Sequence, residues 1–177
     1  VRSSAASDVY KRQLPENICG LLLGGGYPEN YARELSCNDS MRQSIARAIQ
    51  ENMPCLAECG GFLYLHDAIT DIDGEEWAMV SVVHATAAYQ GKLQPRFGYI
   101  TLEDGQTGMQ IRGHEFHYYD STDYGQEWTA RKPLSSRHWS CMHKQGNLLA
   151  GFPHLYYASD PGFATEWVQR CRQWRKE

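Results

Sequence analysis

Ile18-Cys19-Gly20-Leu21-Leu22-Leu23-Gly24-Gly25-Gly26-Tyr27-Pro28-Glu29 and, further along, Pro54-Cys55-Leu56-Ala57-Glu58-Cys59-Gly60-Gly61 decide how this chain reads. Each begins as a short, nearly continuous apolar run and stops at glycines. A strand covered on both faces reads this way, because neither alternating set of its side chains meets water. Between the two runs, 36–52 carries Met41, Ile45, Ala48 and Ile49 at helical spacing, with Asn38, Asp39 and Ser40 available as caps. After the second run, Phe62-Leu63-Tyr64-Leu65 starts another helix. Strand, helix, strand and helix with glycines at the turns predict an α/β domain with a mainly parallel sheet.

Outward from these runs the signal changes. The stretches 78–83 and 97–102 read as strands, with Glu103-Asp104-Gly105 as a turn. Gly113-His114-Glu115-Phe116-His117-Tyr118-Tyr119 is a dense cluster of polar and aromatic groups, and 120–138 lacks a clear period and reads as loop with some strand. A last strand at 148–152 leads into Pro153-His154-Leu155-Tyr156. A helix over 164–174 closes the chain, preceded by Ser159-Asp160-Pro161-Gly162.

With 177 residues, 42% of them hydrophobic and 21% charged, there is room for one domain with a real core. A net charge of -4 without any basic run counts against a nucleic-acid partner. No apolar stretch approaches the roughly 18 to 20 residues of a membrane span. Cys19, Cys37, Cys55, Cys59, Cys141 and Cys171 are irregularly spaced with no CxxC pair. A disulfide framework is therefore not expected, and a cytoplasmic location is. Residues 1–13 have no amphipathic period and read as the translation of a sequencing-library adapter, to be left out of fold reasoning.

Cys59 stands between a buried strand and a helix. Gly60 and Gly61 permit the sharp turn that lifts a nucleophile clear of a sheet, and a helix N-terminus is expected to favour thiolate. Taken alone, the residue reads more readily as a core thiol, since cysteine is among the most buried residue types. Three glycines, Gly24 to Gly26, let backbone N–H groups approach a ligand, and no Gly-Lys-Ser/Thr follows to make a phosphate loop. His154 follows the last strand, where an α/β sheet presents residues at its carboxyl edge, and a general base for Cys59 is expected from such an edge. His114, Glu115 and His117 alternate across a strand without an evident fourth ligand, so no metal site is expected.

In their order and spacing, the segments around Gly24–Gly26, Ala57-Glu58-Cys59-Gly60-Gly61, Gly113-His114-Glu115-Phe116-His117-Tyr118 and Pro153-His154-Leu155 resemble the cobyrinic acid a,c-diamide synthases. The Gly-His-Glu-Phe-His segment favours them over the cobyric acid synthases. The likeness runs from Leu14 to the C-terminus. It implies a three-layer class I glutamine amidotransferase-like α/β domain over 14–177, N-terminally truncated and lacking its first strand or strands. It further implies Cys59 as nucleophile, His154 as its activating histidine, and Gly25, Gly26 and Gly60 around the oxyanion hole and glutamine. The implied enzyme is a ligase of cobalamin biosynthesis, amidating the a and c carboxylates of cobyrinic acid with L-glutamine as donor. ATP and Mg²⁺ would belong to a synthetase domain whose phosphate loop this chain does not carry. Hydrogenobyrinic acid or a nickel tetrapyrrole are alternative acceptors. A cysteine hydrolase and an inactive fragment are the rival readings. Two departures from the family pattern stand out: Tyr156 closes a motif that usually reads His-Leu-His, and Gly151-Phe152-Pro153 replaces a Ser-Tyr-aliphatic lead-in. Other class I members place a glutamate at the position of Tyr156, so whatever orients His154 must come from elsewhere.

Overall fold

A computed structural model describes residues 12–175. Residues 1–11 lie outside it, and with them nearly all of the adapter-like stretch. The elements in chain order are β1 (Leu21–Leu23), a 3-10 turn (Pro28–Tyr31), α1 (Ala32–Cys37), α2 (Asp39–Gln50), β2 (Cys55–Glu58) and α3 (Gly60–Tyr64). Then come β3 (His66–Thr70), β4 (Glu76–Ala78), β5 (Val83–Tyr89), β6 (Gly98–Asp104), β7 (Gln110–Glu115), β8 (Tyr119–Ser121) and β9 (Trp128–Arg131). β10 (His138–Cys141), β11 (His143–Gln145), β12 (Leu148–Gly151), β13 (His154–Leu155), a 3-10 turn (Tyr157–Ser159) and α4 (Pro161–Trp174) complete the fold.

The two glycine-terminated runs lie side by side. β2 pairs in parallel with β1 (Leu21 opposite Cys55) and with β12 (Gly151 opposite Glu58), and β11 joins antiparallel in the order β1-β2-β12-β11. Every residue of β2 is buried, and its alternation explains why. Cys55 and Ala57 point into a core with Leu23, Ile45, Phe62 and Phe152. Leu56 points the other way, into a second core with Ile100, Leu102, Trp128 and Leu155. The sheet is thus a middle layer, and a side chain such as Ile45, fully buried, contributes roughly 1.5 to 3 kcal/mol. β1 departs from its expected burial on both faces. It is the edge strand, with Leu21 and Leu23 in the core and Leu22 36% exposed on the other side.

The middle of the chain builds antiparallel structure instead. β10-β9-β6-β7-β13 form one sheet, and β4-β3-β5-β8 a mixed one in which only β3 and β5 run parallel. The segment read as loop with some strand, 120–138, supplies β9 and part of β8 and β10. The expected strand at 78–83 is mostly loop, with Met79 and Val80 buried. Its amides bond back to the end of α3 and the start of β3: Val80 N–H to Tyr64 O, Ser81 N–H to His66 O and Val82 N–H to Leu65 O. That satisfies the backbone without a ladder, so β-forming side chains do not produce a strand there. The two main helices lie close to where their periodicity places them. Asn38 caps α2 by accepting from Met41 N–H, and Asp160 caps α4 by accepting from Gly162 N–H.

Candidate active site

At the carboxyl end of β2, Cys59 adopts φ 48° and ψ -104°, a left-handed backbone that non-glycine residues rarely hold. Its neighbours enforce it. Cys59 N–H donates to Gly151 O at 2.8 Å, and Gly61 N–H donates to Gly24 O at 3.0 Å. A Cβ on Gly61 would fall 2.1 Å from Leu23 O, and one on Gly60 would fall 2.4 Å from Gly26 O. Both glycines are therefore required by close approach of the glycine loop to the turn.

His154 enters from β13, opposite His114 of β7. Its ring stacks on His114 with centroids 4.7 Å apart and an interplanar angle of 10°. On another side it meets Gly25, where a Cβ would fall 2.3 Å from its Cε1. The expected site residues Cys59, His154, Gly25, Gly26 and Gly60 are therefore assembled around one glycine loop, with Gly25 against the histidine and Gly26 against the cysteine turn.

The electrostatics correct one expectation. Burial drives the Cys59 thiol up to about 12, and the charges of Glu29, Glu115 and Glu58 push the same way. The opposing contribution of the Gly60 N–H is smaller, and α3, at five residues, has little dipole to add. The resting residue is a thiol, not a thiolate. Its Sγ lies 4.0 Å from Phe116 O. His154 is pulled down to about 4 by burial and by its neighbours His114 and His117. Both partners are neutral at rest, so nucleophilic chemistry here requires a proton transfer rather than a stored ion pair.

Three carboxylates act on the thiol through their charge, and two of them are firmly held. Glu115, 1% exposed, accepts from Trp139 Nε1–H at 3.1 Å, pairs with His117 Nε2 at 2.8 Å and lies 3.7 Å from Arg96 Nε. The expected alternation along this segment is present: His114 is exposed while Glu115 and His117 are buried. His117 stacks on Phe152 with centroids 3.8 Å apart. Glu58 accepts from Tyr157 O–H at 2.5 Å and Leu155 N–H at 3.2 Å. Its second oxygen lies 3.8 Å from His154 Nδ1, and burial raises its carboxyl above the usual range. Glu29, in the turn after the glycine loop, is likewise raised by burial. Among the described residues no group of three or more His, Cys, Asp or Glu is placed to hold a metal ion. Nor is any helix among them long and apolar enough to cross a membrane.

Glu58 was open to detection from sequence. A carboxylate inside an otherwise apolar buried strand is costly unless it has partners, so its presence there signals a purpose. Those partners, 97 and 99 residues away, are visible only in the fold.

The α/β fold is shared with a crystallised glutamine amidotransferase. The two superpose with a TM-score of 0.61 at 17% identity, covering 88% of this chain and 80% of that one, a likeness of fold. Residues 3–162 match the CobB/CobQ-like glutamine amidotransferase domain, and the chain belongs to that family. Among its relatives, a cobyrinate a,c-diamide synthase of Caldanaerobacter subterraneus subsp. tengcongensis is 36% identical over 90% of this chain and 37% of its own length. One of Fusobacterium nucleatum subsp. nucleatum is 37% identical over 87% of this chain and 35% of its own length. The chain thus spans little more than a third of these relatives.

Proposed function

We propose that this chain hydrolyses glutamine to supply ammonia for an amide ligase of the cobyrinate a,c-diamide synthase type, with Cys59 as nucleophile and His154 as general base. The observation that carries this reading is the constrained elbow at Cys59, packed glycine to glycine against the loop that also seats His154.

Chemistry begins when the Cys59 sulfur attacks the side-chain amide carbon of glutamine. As the S–C bond forms, His154 takes the thiol proton and passes it to the departing nitrogen, which leaves as ammonia. The resulting γ-glutamyl thioester is attacked by water. His154 takes a proton from that water, the S–C bond breaks, and the thiolate recovers the proton. The sum is glutamine plus water giving glutamate plus ammonia. A negative oxygen develops twice, and backbone N–H groups of the Gly25, Gly26 and Gly60 neighbourhood are the candidates to stabilise it, each donor contributing roughly 3 to 4 kcal/mol. With the thiol near 12 and the imidazole near 4, proton transfer ahead of attack is uphill, so the proton leaves the sulfur as the S–C bond forms.

The acceptor, by likeness to the relatives, is a corrinoid with carboxylates to be amidated. ATP and Mg²⁺ would activate those carboxylates. The glycine loop here lacks the Gly-Lys-Ser/Thr of a phosphate site, so this chain's own chemistry stops at ammonia. The test is labelling with a diazoketone analogue of glutamine. Peptide mapping should find the adduct on Cys59, and glutamine should protect it. Adduct spread over several cysteines, or unaffected by glutamine, contradicts the reading.

A further inference from the structure

We propose that Glu58, the residue immediately before the nucleophile, is the positioning residue that orients His154 and fixes which of its ring nitrogens carries the proton. This rests on the reading of His154 as the base. Tyr156, at the position where other class I amidotransferases carry a glutamate, is 60% exposed and its backbone N–H is committed to Arg112 O. It offers the imidazole no carboxylate. Glu58 does. Its Oε1 is held by the Tyr157 hydroxyl and by the backbone N–H of Leu155, the residue next to the histidine, and this leaves Oε2 facing His154 Nδ1 at 3.8 Å. That separation is beyond a direct hydrogen bond and within reach of one that tightens when substrate binds. A carboxylate there accepts from Nδ1–H, so the neutral ring keeps its proton on Nδ1 and leaves Nε2 free to take the thiol proton. The stack on His114 and the contact with Gly25 hold the ring plane, and Glu58 sets its polarity.

The arrangement explains two features together. A carboxylic residue ends the buried strand β2, and its two hydrogen-bond donors come from the segment that carries the base. The glutamate that other class I enzymes attach two residues beyond their histidine is here supplied from the nucleophile's own strand.

Glu58→Gln keeps the shape and an oxygen to accept from Tyr157 and Leu155, but it turns an N–H donor toward Nδ1. Two-bond proton–nitrogen correlation spectra near neutral pH read the tautomer directly, with His154→Asn assigning the signal. The wild-type chain should show His154 as the Nδ1–H form and Glu58→Gln as the Nε2–H form. Tyr157→Phe, which leaves the Leu155 tie in place, should retain Nδ1–H. Glutamine hydrolysis by Glu58→Gln should fall about 10³- to 10⁴-fold in kcat with little change in KM, the cost of the wrong tautomer. A merely structural glutamate would leave the tautomer unmoved. The same tautomer in wild type and Glu58→Gln overturns the inference even if glutamine is hydrolysed normally. A switched tautomer in a chain that never hydrolyses glutamine upholds it and rejects the glutaminase reading instead.

Discussion

Gly24 and Gly25 are neighbours in one loop, yet alanine should act very differently at the two. A Cβ on Gly25 would sit 2.3 Å from His154 Cε1 and 3.1 Å from its Nδ1, where ordinary contact begins near 3.4 Å, so the ring must move by about 1 Å. A Cβ on Gly24 meets nothing within 4 Å, and neither glycine has a positive φ. Gly25 is exposed, so the change should leave stability within about 0.5 kcal/mol. A base displaced by that distance costs on the order of 10²-fold in rate. Gly25→Ala should therefore lose about two orders of magnitude in glutamine hydrolysis while melting like wild type, and Gly24→Ala should be close to silent. The assay is glutamate release over a range of glutamine concentrations, with thermal unfolding of the same samples. Equal losses in both variants, or full activity in Gly25→Ala, would refute the placement of His154 against the loop.

Other outcomes follow from the same geometry. His154→Asn should reduce turnover by about 10² to 10⁴, the usual contribution of a positioned base, whereas Tyr156→Phe should change it little because Tyr156 is exposed and carries no charge. Equal damage from the two would put the base elsewhere. Glu29→Gln removes one of the charges that raise the thiol, so alkylation of Cys59 at fixed pH should speed up about two- to tenfold; a slower reaction would contradict the electrostatics described. His66 is fully buried between Phe62 O and Ser121 Oγ, and burial depresses it to about 4. The unfolded chain binds this proton near pH 6.5 and the folded chain only near 4. Stability is therefore full above 6.5, falls as pH drops through that window, and is flat below it. His66 accounts for a loss on the order of 3 kcal/mol, read as a falling urea midpoint, and His66→Gln should remove that share while leaving the part contributed by His154, which is depressed over the same window.

What was legible in the sequence follows the kind of burial each segment has. β2 and β12 are sandwiched between two layers, and such strands leave an unbroken apolar run with a glycine stop. α2 and α4 declare themselves by period and by Asn38 and Asp160 at their starts. Segments whose structure depends on distant partners did not show. Residues 79–82 look like a strand and are held as a loop by the ends of α3 and β3, and β9 lies in a stretch with no readable period. The candidate residues divide in the same way. Cys59, His154 and the glycines stand in recognisable local settings, whereas the thiol's high pKa and the grip of Tyr157 on Glu58 arise from burial and contacts far apart in the chain.

The most direct test is to catch the acyl-enzyme. The purified chain is mixed with glutamine, quenched in acid within the first turnovers, and weighed intact and after digestion. A γ-glutamyl adduct should appear on the peptide containing Cys59, accompany ammonia release, and be absent from Cys59→Ala. Ammonia formed without that adduct, or formed equally by Cys59→Ala, would show that Cys59 is a buried core thiol and that the chemistry lies elsewhere.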